Sequence, residues 1–155
     1  MVDLRRGAGG MISDFSRILS GGRAGFPKVL EALEAHLDAY GVPASAIAPV
    51  MIAADELISN TLDHGAQGRD PPTVGVSATV TDGRISVQLI DDGDAFNPLD
   101  KAIPDTGLAV EERAIGGLGI HLVRRLMDTV AYDRVDGRNR LYFSKTYTPQ
   151  SSSRP

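Results

Sequence analysis

The sequence contains no cysteine and no long run of apolar residues. Without cysteine the chain has no disulfide, thiolate metal site or cysteine nucleophile, and nothing indicates an oxidising compartment. The N-terminus has no apolar stretch of signal-peptide length, and no later stretch approaches the roughly 18 to 20 apolar residues that cross a bilayer. We therefore expect a cytoplasmic protein that is neither secreted nor inserted in a membrane.

Positive charge is also scarce. The chain has 16 lysine and arginine residues against 20 acidic residues, a net charge of −4 and a pI near 5.3. No overall basic field attracts it to nucleic acid or to anionic lipid, so direct binding to nucleic acid is not expected.

The length of 155 residues, with 42% hydrophobic and 23% charged residues, is typical of one globular domain. We place this domain at residues 11–148. The first ten residues are expected to be flexible, and residues 149–155 to form a disordered tail.

The order of predicted elements is two helices, a hairpin, a long loop, a helix and a second hairpin. Apolar spacing of three and four predicts the helices, and alternating apolar residues predict the strands. The predicted helices are Phe26 to Tyr40, near Pro49 to about Gly65, and 118–127; the predicted strands are 73–80, 85–89, 129–135 and 140–147. This order predicts an α/β (α+β) two-layer sandwich, with helices on one face of a mostly antiparallel, mixed sheet.

Three polar residues follow one another at four-residue intervals on the second helix: Glu56, Asn60 and His64. Glu56 is a candidate proton acceptor for an attacking hydroxyl or water. The carbonyl oxygen of Asn60 is a ligand type that Mg²⁺ prefers when it bridges substrate phosphates. His64 either lines the same wall or serves as a helix cap or packing residue.

A strand ends in Asp91-Asp92-Gly93. This pattern is compatible with an ordinary turn. It also suits base recognition, with Asp91 accepting a hydrogen bond from an exocyclic amine and Gly93 letting a flat ring approach the backbone.

Glycines at 116, 117 and 119 precede and open the third helix. They form either a hinge with a close helix contact or a phosphate site, where backbone N–H groups and the helix dipole face the anion. The dinucleotide pattern G-x-G-x-x-G and the P-loop Gly-Lys-Ser/Thr are both absent, which excludes those two nucleotide-binding classes on sequence grounds.

In this order, Glu-x-x-x-Asn, Asp-x-Gly, a long loop and Gly-x-Gly resemble the GHKL (histidine kinase-like) ATPases over about residues 26–147. The resemblance implies bound ATP and Mg²⁺. It implies that Asn60 binds the metal, that Asp91 recognises the adenine amine above Gly93, and that Glu56 is the catalytic base. Gly117, Leu118 and Gly119 are then expected at the phosphates, His64 at the wall of the site, and residues 97–116 in an ATP lid.

Within this superfamily the chain is similar to the anti-sigma factor serine kinases, on the segments "ELISNTLDHG", "FNP", "GGLGIHLVRRLMD" and "GRNRLYFSK". This resemblance implies an ATP-binding anti-sigma factor that phosphorylates a serine of an anti-anti-sigma (STAS-type) partner, and it suggests a homodimer. Two other functions stay open: a nucleotide-gated binding protein without phosphotransfer, and a detached histidine-kinase catalytic domain. Asn139 stands where many relatives carry threonine, and we expect it to reach the base pocket through water.

Overall fold

The computed structural model of the protein describes residues 5–7, 10–65, 70–100 and 117–150. Its helices and strands alternate along the chain much as the sequence predicts. In chain order they are β1 (Arg5–Gly7), β2 (Gly10–Leu19), α1 (Phe26–Ala39), α2 (Ala44–His64), β3 (Val74–Thr81), β4 (Arg84–Asp91), α3 (Gly117–Leu126), β5 (Thr129–Val135) and β6 (Arg138–Thr146). Short 3-10 turns lie at Gly22–Gly25 and Pro98–Asp100.

The six described strands form one sheet in the order β1-β2-β3-β4-β6-β5. Every pairing among them is antiparallel, so no parallel pair of the predicted mixed sheet occurs in this part of the chain. Both predicted hairpins are confirmed, and α2 contacts both α1 and α3. The two-layer sandwich is therefore confirmed.

Alternation along β4 brings a polar group into the core side of the sheet. Ile85, Val87 and Leu89 are buried, and Asp91 continues the same inward face at 4% exposure. Successive side chains of a strand point to opposite faces, so the strand itself turns this carboxylate inward. The end of β4 is therefore both buried and polar.

The start of α2 differs from the prediction. The helix begins at Ala44, directly after the extended residue Pro43, and Pro49 lies inside it rather than in its first turn. Pro49 has no N–H for the Ser45 carbonyl, which weakens the helix locally. The buried residues Ala46 and Ile47 place the first turn in the core and offset this loss.

The N-terminal strands were not predicted. β1 pairs with β2, and β2 pairs with β3 along its length from Ser13 to Leu19. Phe15 and Leu19 are buried while Arg17, between them on the same face, is exposed, so the apolar alternation is broken. Residues 5–7 thus belong to the sheet, and the predicted limits of the domain stay a prediction.

Most of the predicted lid, residues 101–116, lies outside the described residues, as does the predicted tail from 151 onwards. Residues 97–100 are described and contain the second 3-10 turn. Within the described ranges, none of the helices has the length and apolar character needed to span a membrane.

Candidate functional site

Asp91 lies opposite Asn139 in the β4–β6 pairing. Asp91 Oδ1 accepts hydrogen bonds from the Gly93 backbone N–H at 2.9 Å and from Asn139 Nδ2 at 3.0 Å. Among the described residues no hydrogen bond reaches Oδ2, and no buried side-chain oxygen or nitrogen lacks a partner. Oδ2 therefore keeps contact with solvent and is available to accept a hydrogen bond from a ligand.

Burial raises the pKa of Asp91 above its usual value. The hydrogen bonds from Asn139 and Gly93 act in the opposite direction, because they stabilise the ionised form. The nearby charge of Asp92 adds to the rise, and that of Arg134 opposes it. A buried carboxylate held by two donors is thus a defined acceptor at the end of β4.

The turn after β4 packs directly on the end of α2. A Cβ built on Gly93 would lie 3.0 Å from the Gly65 carbonyl oxygen and 3.1 Å from the Gly65 Cα. The backbone N–H of Asp94 donates to the same Gly65 carbonyl at 3.3 Å. Gly93 therefore serves close backbone packing, and its lack of a side chain keeps the C-terminus of α2 beside Asp91.

His64 contacts the beginning of the loop after β4. Its ring stacks on Phe96, with centroids 4.6 Å apart and an interplanar angle of 21°. The structure thus gives His64 a packing contact, one of the alternatives left open by the sequence. Its predicted contact with nucleotide stays a prediction.

Asn60 and Glu56 lie one and two turns before the end of α2. Asn60 is 5% exposed, and its Nδ2 donates to Glu56 Oε1 at 3.3 Å. This bond points the amide nitrogen at the acid, and no described residue donates to Asn60 Oδ1. A carbonyl oxygen is therefore left for a metal ion or a solvent molecule.

The carboxylate of Glu56 lies against the first turn of α3. A Cβ built on Gly119 would lie 1.9 Å from Glu56 Oε1, 2.0 Å from Cδ and 2.6 Å from Oε2. Only glycine leaves room for the acid in this position. Gly117 begins α3, whereas the side chain of Leu118 lies outside the described residues.

Helix α2 therefore connects two ends of one site. Gly65 contacts Gly93 beside Asp91, and Glu56 contacts Gly119 at the start of α3. Glu56 and Gly65 are nine positions apart along the chain, or roughly 14 Å at the helical rise of 1.5 Å per residue. The predicted site residues that the structure describes thus lie along α2, between the buried carboxylate of Asp91 and Gly119 in the first turn of α3.

No group of three or more histidine, aspartate or glutamate side chains that would hold a metal ion by itself occurs in the described part of the chain. Asn60 offers one oxygen ligand. This fits Mg²⁺, which usually takes one or two protein oxygens and completes its shell with substrate phosphates and waters.

Sequence reasoning missed the direct partners of Asp91. Asn139 donates a hydrogen bond to the carboxylate itself, and its predicted contact with the base through water stays a prediction. Tyr132 and Arg134 on β5 also contact Asn139 and were not predicted. The second predicted hairpin contained a signal, since strands 129–135 and 140–147 around Asp136-Gly137 bring Arg134 and Asn139 opposite each other.

Comparison with known proteins shows which family the chain resembles. The family model of the histidine kinase-like ATPase domain matches residues 24–145. The chain is 27% identical over 100 residues to the serine/threonine-protein kinase BtrW of Bordetella bronchiseptica, covering 64% of this chain and 70% of BtrW. It is 30% identical over 94 residues to the serine-protein kinase RsbW of Listeria monocytogenes, covering 58% and 60%.

A more distant relative is the anti-sigma F factor of Clostridium beijerinckii, 22% identical over 88 residues that cover 57% of this chain and 62% of that protein. The solved structure of the RsbU and RsbW domains of Rv1364c from Mycobacterium tuberculosis has a similar fold, with a TM-score of 0.59 at 17% identity. That match covers 89% of this chain and 34% of the mycobacterial chain.

The chain thus spans about three fifths of the RsbW protein and one third of the mycobacterial chain. The family model covers most of this sequence and includes the whole line of site residues from Glu56 to Asn139. The chain therefore belongs to the family of histidine kinase-like ATPase domains.

Proposed function

We propose that the protein is an ATP-binding anti-sigma factor that phosphorylates a serine or threonine of an anti-anti-sigma partner. One observation carries the proposal: helix α2 holds Glu56 against Gly119 at the start of α3 and meets Gly93, beside Asp91, at its C-terminal end. The adenine ring and the triphosphate of ATP together need such an elongated site. The names of the relatives, serine-protein kinases and an anti-sigma factor, support the choice of reaction.

Asp91 is proposed to recognise the base. Its free Oδ2 accepts a hydrogen bond from the exocyclic amine of adenine, while a carbonyl at the same position of a purine finds no donor. Gly93 is proposed to lie beneath the ring, and its packing on the Gly65 backbone holds this turn beside Asp91. This end of the site therefore selects the nucleotide.

Glu56 is proposed to act as the general base. A serine hydroxyl of the partner gives its proton to Glu56 as the oxygen bonds to the γ-phosphorus, and the bond from that phosphorus to the β–γ bridging oxygen breaks to release ADP. Positioning and electrostatic stabilisation supply most of the catalysis in such a transfer. The hydrogen bond from Asn60 fixes the orientation of this carboxylate.

Asn60 Oδ1 is the proposed protein ligand for Mg²⁺, together with phosphate oxygens and waters. The metal offsets negative charge on the phosphates when it is bound. Gly117, Leu118 and Gly119 are proposed to place backbone N–H groups at the phosphates, as the start of a helix favours. His64 is proposed to border the site through its stack on Phe96.

The partners are proposed to be a sigma factor and a small STAS-type anti-anti-sigma protein, with a homodimer as the assembly. Phosphate on the partner adds about −1.5 to −2 charge, which weakens binding to an acidic protein of net charge −4. Phosphorylation would thus release the partner and leave the sigma factor bound. A cytoplasmic location fits these partners.

The test is incubation of the protein with labelled ATP, magnesium and a small partner domain encoded beside it. Acid-stable phosphoserine or phosphothreonine on the partner supports the proposal. Absence of transfer with intact ATP binding favours a nucleotide-gated binding protein, and acid-labile phosphohistidine favours a detached histidine-kinase domain.

Glu56→Gln is the matched variant because it keeps the size of the side chain and removes its ability to accept the proton. We expect ATP binding within about threefold of the parent and transfer slowed by about 100-fold or more. Transfer at the parental rate would disprove the role of Glu56 as the base.

A further inference from the structure

Asn139 is the most highly connected polar side chain in the described part of the site. It is 3% exposed, and its Nδ2 donates to Asp91 Oδ1 at 3.0 Å and to the Asp94 carbonyl oxygen at 2.8 Å. Both partners are acceptors, so the amide nitrogen must face them. One amide group thus joins the buried carboxylate to the backbone that follows it.

The oxygen of the same amide also takes part in several hydrogen bonds. Asn139 Oδ1 accepts hydrogen bonds from Tyr132 Oη at 2.6 Å, from Arg134 Nη1 at 2.9 Å and from the Phe96 backbone N–H at 3.3 Å. Arg134 and the Phe96 N–H can only donate, so this orientation of the amide cannot be reversed without losing bonds on both sides. Contacts from β5 and from the loop after β4 therefore lock the side chain.

We propose that Asn139 is a positioning residue for base recognition: its locked amide holds Asp91 Oδ1 and thereby leaves Oδ2 for the exocyclic amine of the base. The inference rests on the ATP-binding function proposed above. It also links the base to residues 94–96, since the same amide holds the carbonyl of Asp94 and the N–H of Phe96.

Electrostatics support this role. Burial raises the pKa of Asp91, and the hydrogen bond from Asn139 is the largest opposing effect. The charged groups that act on Asp91 are Asp92, which raises its pKa, and Arg134, which lowers it. Losing the donor therefore favours the protonated carboxyl group, which is a poorer acceptor for an amine.

The main test is Asn139→Asp, which keeps the shape and the accepting oxygen but replaces the donor by a second carboxylate oxygen about 3 Å from Asp91. Two carboxylates this close share a proton, and one pKa of the pair rises strongly. At the alkaline end of a pH series we expect the variant to bind ATP at least about tenfold more weakly than the parent. As the pH falls through the raised pKa of the pair, the shared proton restores a donor to Asp91, and the difference is expected to narrow to about threefold.

The matched control is Gln88→Glu, which makes the same amide-to-acid change on the half-exposed outer face of β4, opposite Tyr142. It adds the same charge away from Asp91, so its ATP affinity is expected to follow the parent throughout the pH series. A merely structural role for Asn139 would weaken the binding of ATP and of ITP alike, and the comparison of these two nucleotides distinguishes it from a positioning role. Parental affinity of Asn139→Asp at the alkaline end, or an equal loss throughout the series, overturns the inference.

A second variant, Asn139→Ala, covers the case in which Asn139→Asp does not fold. Titration with ATP and with ITP, whose base carries a carbonyl in place of the amine, measures base selectivity. We expect ATP affinity to fall about tenfold and ITP affinity to change less than about threefold, because only the amine uses Asp91 Oδ2. Equal losses for both nucleotides would contradict the role.

The parent protein separates this inference from the proposed function. A parent that binds no ATP in magnesium buffer overturns both. If the parent binds ATP and the Asn139 variants bind it with unaltered affinity, only the positioning role is overturned.

Discussion

Replacing Gly119 with alanine is expected to slow phosphotransfer strongly while changing the free energy of unfolding little. The new Cβ would lie 1.9 Å from Glu56 Oε1 and 2.0 Å from its Cδ. Non-bonded heavy atoms pack best at about 3.5 to 4.0 Å, so the carboxylate must move by roughly 1.5 Å or more. The acid then leaves the first turn of α3.

The stability cost of this movement is expected to be small. The displaced atoms are the end of a flexible side chain, and Gly119 has no positive φ that would strain alanine. Alanine in a helix is better than glycine by about 0.5 to 1 kcal/mol. We therefore expect the free energy of unfolding, measured with urea, to change by less than about 1 kcal/mol.

The rate of transfer is expected to fall far more. A positioned general base contributes about 10²- to 10⁴-fold, so a displaced Glu56 should lower kcat by about 100-fold or more. The assay is single-turnover transfer of labelled phosphate to the partner. The control is Gly75→Ala on β3, where the nearest atom to the new Cβ is the Ile90 carbonyl oxygen at 3.7 Å.

The double variant Gly119→Ala, Glu56→Gln tests the mechanism. If alanine acts only by displacing Glu56, the double variant should be no slower than Glu56→Gln alone. A Gly119→Ala protein that transfers within about threefold of the parent refutes the reasoning, as does a double variant whose losses multiply.

Three further predictions concern the other end of the site and the edge of the fold. Asp91→Asn should weaken ATP binding by about 10- to 100-fold in calorimetry. Because burial raises the native pKa of Asp91 above 3.8, the parent should lose stability relative to this variant as pH rises through that native pKa. A stability difference that is constant with pH would contradict the raised pKa. Gly93→Ala should lower the free energy of urea unfolding by about 1 to 3 kcal/mol, since its Cβ meets the Gly65 backbone, which cannot rotate away; a stability equal to the parent's would be inconsistent with that packing. Asp128→Asn should lower the free energy of unfolding at neutral pH by about 0.5 kcal/mol or less, because hydrogen bonds from the Thr146 N–H and hydroxyl lower the pKa of this carboxylate while its exposure to solvent screens the effect. The difference should vanish as pH falls below 3.8 through the native pKa, and persistence in acid would exclude that cause.

Local patterns were sufficient for most elements of the fold. The spacing of Phe26, Val29, Leu33 and Leu37 predicted α1, and all four side chains are buried. Both hairpins were predicted because alternation and the Asp-Gly turns act over only a few residues. Such signals fail where the pattern is broken, as in β2, whose Arg17 interrupts the inward face, and at the start of α2, where proline suggested too late a beginning.

Alternation also predicts the direction of Asp91, because Leu89 and Asp91 share a face of β4. It does not predict what meets the carboxylate there. Asn139 arrives from β6, a strand that pairs with β4 only after α3 and β5 have intervened along the chain. The register between distant strands depends on the packing of the whole sheet, so no local pattern specifies it.

The sequence by itself determined the types of element, the acid-amide pair one helical turn apart on α2, the carboxylate at the end of β4 and the glycines that open α3. Only the tertiary structure decided that Glu56 lies against Gly119, that Gly93 packs on Gly65 and that Asn139 holds Asp91. The physical reason is the separation along the chain of the residues that interact. Helix and strand periodicity follow from neighbouring residues, whereas these contacts join parts of the chain that meet only when the core has packed.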